Sequence, residues 1–202
     1  MKKFLTLLLL SIISLTASAE FRWGPTAGLN ISNFYWKQPI LKSDYNCGFQ
    51  AGLMGEVMIP GIGFGIDFAA RYNMHGASVN LGDSKVWSVD GYENGNFRLH
   101  AIDIPVHLRF KWTRMDGLEQ YVAPFAYIGP VFSFNVGQSN CKAIEHPAGS
   151  VGLEFALGAE FIEHIQFSVG YQWGVAYDLR TVKLDNLSAS TSAWNINVAY
   201  LF

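Results

Sequence analysis

Acidic, basic and imidazole side chains recur at alternate positions in the segment AIDIPVHLRFKW, residues 101–112. Asp103, His107, Arg109 and Lys111 fall on one parity, and the other parity is an apolar row. Side chains two residues apart lie on the same face of a β-strand, so the charged groups would share one surface. A carboxylate, an imidazole and two cations on one surface could transfer protons, line a solute path or pair with one another.

Motifs for catalysis or metal binding do not occur at the spacings that those chemistries need. The sequence has no H-E-x-x-H, no G-x-S-x-G and no paired cysteines at metal-binding spacing. Ser168 shares a face with Gln166 and Gln172 but has no histidine on its strand. We therefore expect no enzyme activity, no catalytic residue, no metal and no cofactor; a lipid-modifying enzyme built on a small barrel is kept as an alternative.

The composition is apolar for a chain that carries these charged rows. Of the 202 residues, 50% are hydrophobic and 15% are charged, against about 25% charged in typical soluble domains. The formal charge is −2, and no basic stretch suggests a nucleic-acid partner. The length predicts one domain.

The first residues predict a secretory signal peptide. Lys2 and Lys3 precede an apolar core, and Ala17-Ser18-Ala19 is typical of a cleavage site, so we expect residues 1–19 to be removed. The alternative is a membrane anchor, but the apolar core is short for a spanning helix. Residues 20–202 would then form the mature domain, exported through the inner membrane.

The segment IQFSVGYQWGVAYDL, residues 165–179, alternates between large apolar and small or polar side chains. The small face contains glycine and glutamine but no lysine, which is unusual for a surface in water. Large side chains outside and small polar ones inside are typical of a barrel in lipid. The alternative is a soluble lipocalin-like barrel, in which the apolar residues would face inward.

Six further segments alternate in a similar way, and a seventh, residues 121–136, is long and apolar with a blurred alternation. The connections between the eight segments are alternately long and short. This order is typical of outer-membrane barrels with short periplasmic turns and long external loops. We predict an all-β fold, an eight-stranded antiparallel up-and-down transmembrane β-barrel in the outer membrane. The predicted strands are 21–31, 48–59, 63–74, 101–112, 121–136, 151–161, 165–179 and 192–202.

The polar face of these strands predicts a charged lumen. Because isolated buried charges are costly, we expect acids and bases to pair and fill the interior. The alternative is a narrow solute path lined by the same groups. The residues assigned to this lumen charge network are Arg22, Glu56, Asp67, Arg71, Asp103, His107, Arg109, Lys111, Glu154, Glu160 and Asp178.

Short motifs on three strands resemble the PorT-like family of small outer-membrane β-barrels, namely Ala27-Gly28-Leu29-Asn30 with Ser32, Gly48-Phe49 with Ala51-Gly52, and Asp103-Ile104-Pro105 followed by Leu108-Arg109. The resemblance implies an eight-stranded barrel in a diderm bacterium but no single activity. The carboxyl-terminal Tyr200-Leu201-Phe202 also resembles the insertion signal that the barrel-assembly machinery reads, with Tyr200 and Phe202 as its aromatic residues. The alternative is that Phe202 is simply the last lipid-facing residue, and both can be true.

The predicted long loops are where contacts with other molecules are expected. Cys47 and Cys141 both fall on that side and could form a disulfide, with two thiols as the alternative. Phe34, Tyr35 and Trp36 are expected in the aromatic girdle at the membrane surface, with exposed loop aromatics that contact a ligand or surface as the alternative. We expect a non-enzymatic protein that is surrounded by outer-membrane lipid. Its role would be structural, or it would bind an unknown surface partner through its loops. The alternative is a narrow channel for a small solute.

Overall fold

A computed structural model describes most of the chain after the predicted signal peptide. The described residues are 20–36, 42–59, 61–80, 95–112, 117–138, 144–145, 149–175, 179–181 and 188–202. Residues 1–19, predicted as the signal peptide, lie outside this part of the chain.

The described chain forms a closed antiparallel barrel, which confirms the predicted fold class. Each wall strand pairs with the next wall strand along the chain. The last one, β10 (Ser188–Tyr200), closes the barrel on the first, β1 (Glu20–Trp36), through a register that includes Gly28↔Asn197. Two short strands, β6 (Ile144–Glu145) and β9 (Leu179–Thr181), pair with each other, and β9 also pairs with β10. The wall strands are β1 (Glu20–Trp36), β2 (Lys42–Met58), β3 (Phe64–Asn80), β4 (Gly95–Lys111), β5 (Val122–Gln138), β7 (Gly149–Phe161), β8 (Ile165–Gly174) and β10 (Ser188–Tyr200).

The two ends of the barrel differ in their connections. At one end, here called the short-turn end, β7 joins β8 through Ile162 and Glu163, both with left-handed backbone (φ 52° and 62°). The link from β4 to β5 at the same end includes a short 3₁₀-helix, Leu118–Gln120. The opposite end is called the long-loop end. Among the residues described, no helix is long and apolar enough to cross a membrane.

Most wall strands extend further toward the long-loop end than the alternation of side chains predicts, but the strand predicted over 165–179 ends at Gly174, and Leu179 belongs to β9. β2 begins at Lys42 and β4 at Gly95, where the predicted strands begin at 48 and 101. Hydrogen bonding between strands continues there, although polar residues such as Ser43 and Asp44 replace the apolar row. A sequence pattern that depends on lipid contact therefore ends before the strand does.

The outer surface carries an apolar band with aromatic residues toward each end. The band includes Leu29, Leu53, Ile66, Ile104, Leu157 and Val169, all exposed. Trp23, Trp112, Tyr121, Tyr200 and Phe202 lie toward the short-turn end, and Tyr35, Tyr45, Trp173 and Trp194 toward the other. Two aromatic girdles around an apolar band about 25 Å tall are typical of membrane barrels.

The girdle prediction for the end of β1 was wrong for one residue. Tyr35 is 49% exposed, and its hydroxyl lies 3.4 Å from that of Tyr45, but Phe34 is 2% exposed. Adjacent residues of a strand point to opposite faces, so Phe34 and Tyr35 cannot share the outer surface. The side chain of Trp36 lies outside the described residues.

Candidate functional site: the polar lumen

Glu56 on β2 lies near the short-turn end of the lumen, and its carboxylate accepts hydrogen bonds from side chains of several strands. Its Oε1 accepts hydrogen bonds from Arg22 Nη2 at 2.7 Å and Lys111 Nζ at 2.6 Å. Its Oε2 accepts from Arg109 Nη1 at 2.7 Å and Gln166 Nε2 at 2.8 Å. The Glu56 side chain is 0% exposed, so these bonds replace its hydration.

Two further carboxylates complete this group. Glu160 Oε2 accepts from Arg22 Nη2 and Lys111 Nζ, each at 2.8 Å. Asp67 Oδ2 accepts from Arg109 Nη2 at 2.7 Å. We call the group the basal cluster, and its members are Arg22, Glu56, Asp67, Arg109, Lys111, Glu160 and Gln166. Three carboxylates face three cations, so the basal cluster is electrically balanced as well as hydrogen-bonded.

The basal cluster joins strands on all sides of the barrel, because its members lie on β1, β2, β3, β4, β7 and β8. Lumen-facing side chains of different strands can contact one another only when the strand registers place them at the same level of the barrel. The pairs Arg22↔Glu56 and Glu56↔Asp67 are direct register partners, and Glu160 faces Gln166. The barrel therefore assembles the basal cluster at a single level near the short-turn end.

A second group of charged and hydrogen-bonding side chains lies toward the middle of the lumen. Arg71 Nη2 donates to Glu154 Oε2 at 2.5 Å, and His107 Nε2 lies 3.6 Å from the same oxygen. Asp103 Oδ2 accepts from Asn73 Nδ2 at 2.7 Å. Beyond this group the lumen is filled by amides and hydroxyls, with Asn30 Nδ2 bonded to Asn73 Oδ1 and Gln50 Nε2 bonded to Asn197 Oδ1.

Two aromatic side chains on β5 also face inward and contact the charged groups. The Arg109 guanidinium lies 4.2 Å from the centre of the Phe125 ring and 5.5 Å from that of Tyr127, which is cation–π geometry. Space for these rings comes from small residues: a Cβ added at Gly158 would lie 2.4 Å from the Phe125 ring, and Ala156 packs with both aromatics. The small residues of β7 thus make room for the large ones of β5.

Little free volume remains between these groups. A cavity of about 40 Å³ is lined by Asp67, Arg71, His107 and Ser168, among others. A second one of about 10 Å³ lies nearer the long-loop end, against Asn73, His75 and Gln172. Because a cavity must offer about 10–15 Å³ to each water molecule, each of the two has room for a few waters at most.

The structure brings together most of the residues that the sequence assigns to the lumen. Arg22, Glu56, Asp67, Arg109, Lys111 and Glu160 meet in the basal cluster, while Arg71, Asp103, His107 and Glu154 lie above it. Asp178 lies outside the described residues. Sequence reasoning placed Gln166 on this face without assigning it a role, and it missed Phe125 and Tyr127, for which the glycine and alanine residues at inward positions of β7 were the available signal.

The other predicted sites lie at the two ends. Cys47 is exposed on β2, and Cys141 lies outside the described residues, so the disulfide stays a prediction. At the short-turn end Leu201 is buried, whereas Tyr200 and Phe202 are exposed on the outer surface. Phe202 N donates to Trp23 O at 2.9 Å, and the two rings lie 5.5 Å apart.

The chemistry of this lumen is mutual neutralisation. Each basal carboxylate is engaged by at least one cation, and Ser168 lines the small cavity rather than an open cleft. Within the described part of the chain, His, Cys, Asp and Glu side chains form no group that could hold a metal ion. The interior is closed, and its basal cluster is charge-balanced.

Comparison with known proteins gives one family. The family model for the outer membrane protein beta-barrel domain matches residues 4–202. No curated protein matches the chain.

Solved structures similar to the chain include three bacterial proteins. The outer membrane protein OprG from Pseudomonas aeruginosa is 14% identical with a TM-score of 0.54, over 91% of this chain and 95% of that one. Ail, the attachment invasion locus protein of Yersinia pestis, is 13% identical with a TM-score of 0.44, over 91% and 99%. Neisserial surface protein A is 13% identical with a TM-score of 0.43, over 89% and 97%. The similarity to OprG, at this identity, is one of fold alone.

Proposed function

The chain belongs to the outer membrane protein beta-barrel domain family, and from that premise we propose that it is a closed barrel acting at the cell surface. In this proposal the chain neither conducts solutes nor catalyses a reaction. Its short-turn end faces the periplasm, and the connections at its long-loop end meet the surroundings of the cell. The narrower resemblance to the PorT-like family, carried by Asp103-Ile104-Pro105, belongs to the same proposal.

The observation that carries this proposal is the bonding of Glu56. A solute path would have to pass a carboxylate held by three cations and an amide, at distances of 2.6–2.8 Å. Parting these groups would leave several buried charges without partners, which is strongly unfavourable. The same sealed interior keeps Ser168 and His107 from a lipid substrate, which supports a non-enzymatic role.

Conductance in planar lipid bilayers tests the closed lumen. We expect the wild-type barrel to give no conductance steps above the lipid baseline. The double variant Lys111→Ala/Glu160→Ala removes one cation and one carboxylate, so Arg22 and Arg109 still balance Glu56 and Asp67. This variant should give small conductance steps, because the two truncations widen the lumen at the short-turn end while its charges stay balanced.

The double variant also shows that the bilayer assay can detect an opened lumen. Conductance steps from the wild-type barrel, of a size similar to those of the variant, would contradict the proposal and favour the narrow channel. Turnover of lipid A or phospholipid by the purified barrel would instead favour the enzyme.

The proposed binding role of the long-loop end is supported by the position of its connections. β6 and β9 belong to two different long connections, and their pairing brings those connections together beyond the barrel wall. Loops held by a rigid scaffold are common binding elements. The partner is proposed to be a surface or extracellular molecule.

Assembly through the carboxyl terminus is the second part of the proposal. We propose that the barrel-assembly machinery reads Tyr200 and Phe202, whose rings are exposed before lipid covers them. Phe202→Ala should lower the folded, heat-modifiable fraction in outer membranes several-fold. Trp23→Ala is the matched control, because it removes the same ring contact and leaves the terminus intact. Equal losses in both variants would mean that Phe202 acts only through packing.

A further inference from the structure

The turn between β7 and β8, residues 162–164, has a backbone conformation that its residue types do not favour. Ile162 and Glu163 are both left-handed, although such turn positions usually carry glycine or asparagine and a β-branched residue is strained there. A strained conformation persists where surrounding contacts hold it. Here Arg22 Nη1 donates to Glu163 O at 2.5 Å, and Ile162 N donates to Tyr121 O at 3.1 Å.

The turn held in this way directs His164 at the last residues of the chain. His164 Nδ1 donates to Leu201 O at 2.9 Å, and Leu201 N donates to His164 O at 2.8 Å. The acceptor is a carbonyl oxygen, so Nδ1 carries the proton in this bond. The imidazole also stacks on the Tyr200 ring at 5.6 Å, with 24° between the two planes. His164 therefore engages both main-chain groups of Leu201 and the ring of Tyr200.

Strand β1 contacts the same carboxyl-terminal segment from its other side. Phe202 N donates to Trp23 O at 2.9 Å. Gly24 permits the close approach of the two backbones, because a Cβ at this position would clash with Tyr200 O. The Leu201 side chain is buried. The last residues are thus fixed between β1 and the β7–β8 turn.

We propose that His164 is a latch, a side chain that fixes the carboxyl-terminal segment Tyr200–Phe202 when the barrel closes. β10 is paired with β8 on one edge and with β1 on the other, and the latch continues this bonding beyond the end of the strand. A partner that recognises an extended segment by strand addition needs its main-chain groups, and those of Leu201 are engaged. The latch would therefore end recognition of the terminus by the assembly machinery. This consequence rests on the proposed reading of Tyr200 and Phe202, whereas the latch itself does not.

Amide hydrogen exchange, followed by NMR on the purified barrel refolded in detergent micelles, tests the latch. His164→Phe keeps a ring to stack on Tyr200 and removes the donor, while His164→Asn keeps an N–H donor on the atom bonded to Cγ and removes the ring. We expect His164→Phe to speed exchange of the Leu201 and Phe202 amides about fivefold, the effect of losing one hydrogen bond. His164→Asn should exchange nearly as slowly as the wild type. The Ile196 amide, in the middle of β10, should be unchanged in both variants.

Three results would overturn the latch. Unchanged exchange in His164→Phe would mean that His164 does not hold the segment, and an equal acceleration at Ile196 would mean a general loss of stability. Equal acceleration in His164→Asn would mean that the hydrogen bond is not what holds the terminus. Glu163→Gln changes the neighbouring side chain and should exchange like the wild type. His164 is exposed, so its variants should fold, which heat-dependent gel mobility checks. Refolding without the assembly machinery separates the latch from the proposed recognition of Phe202, so either can fail alone.

Discussion

Glu56→Gln is expected to destabilise the folded barrel by about 3–5 kcal/mol, because it breaks a buried ion-pair group by removing one partner. The basal cluster would then hold three cations against two carboxylates. A glutamine cannot replace the lost charge. Its NH₂ group would take the place of one carboxylate oxygen, and so would face either the donors Arg22 and Lys111 or the donor Arg109. The measurement is the urea midpoint of unfolding in lipid vesicles, followed by tryptophan fluorescence.

Two further variants give this experiment its controls. Glu163→Gln removes an exposed carboxylate at the same end; only the backbone oxygen of Glu163 bonds Arg22, so stability should hardly change. Glu56→Gln/Lys111→Met removes a cation as well and restores the balance of two against two, so it should recover much of the loss. An unfolding midpoint for Glu56→Gln equal to that of the wild type would show that the basal cluster does not hold the barrel together.

The barrel could be predicted from sequence because lipid and lumen impose opposite demands on alternate residues. In the segment 165–179 the large side chains had one parity and Gly170 and Gln172 the other, which decided the direction of each face. Charged residues could be assigned to the lumen by the same parity. A period of two depends only on residues that are close together in the sequence. It can therefore be recognised without knowing which strands are neighbours in the sheet.

Which charges meet could not be read from the sequence. Glu56 and Arg109 are bonded across the lumen, although β3 lies between their strands and no pattern links the two positions. Their meeting depends on the strand registers and the barrel diameter, which are properties of the closed sheet. Phe125 and Tyr127 were missed because β5 is apolar on both faces, so alternation gave no direction there. The rings point inward because β7 offers Gly158 and Ala156 opposite them.

The basal cluster also constrains how the barrel can vary. Three of its carboxylate–cation contacts use Glu56, and Gln166 bonds both Glu56 and Glu160. Substitutions there are coupled, since a change in one charge alters the balance felt by the others. Residues at the long-loop end take no part in the cluster. The connections of the barrel, where we propose that a surface partner binds, can therefore change while the basal cluster stays the same.

Val169→Arg is expected to cost about 2–4 kcal/mol in stability, the penalty for a cation on the lipid face near the bilayer midplane. Val169 is 40% exposed on the outer surface and lies between the register partners Leu157 on β7 and Ile196 on β10. It is midway between Ile165 at the short-turn end and Trp173 near the other girdle. A guanidinium there has neither water nor a carboxylate to receive its hydrogen bonds.

Gln172→Arg is the matched change on the inner face of the same strand. Gln172 is the register partner of Glu154, which would face the new cation. We expect the cost to be clearly smaller than for Val169→Arg, because the lumen provides hydrogen-bond acceptors and the hydrocarbon does not. Unfolding midpoints in vesicles compare the two variants directly. Equal midpoints would contradict the assignment of faces, and a larger loss for Gln172→Arg would mean that space in the lumen, rather than charge, limits what that face accepts.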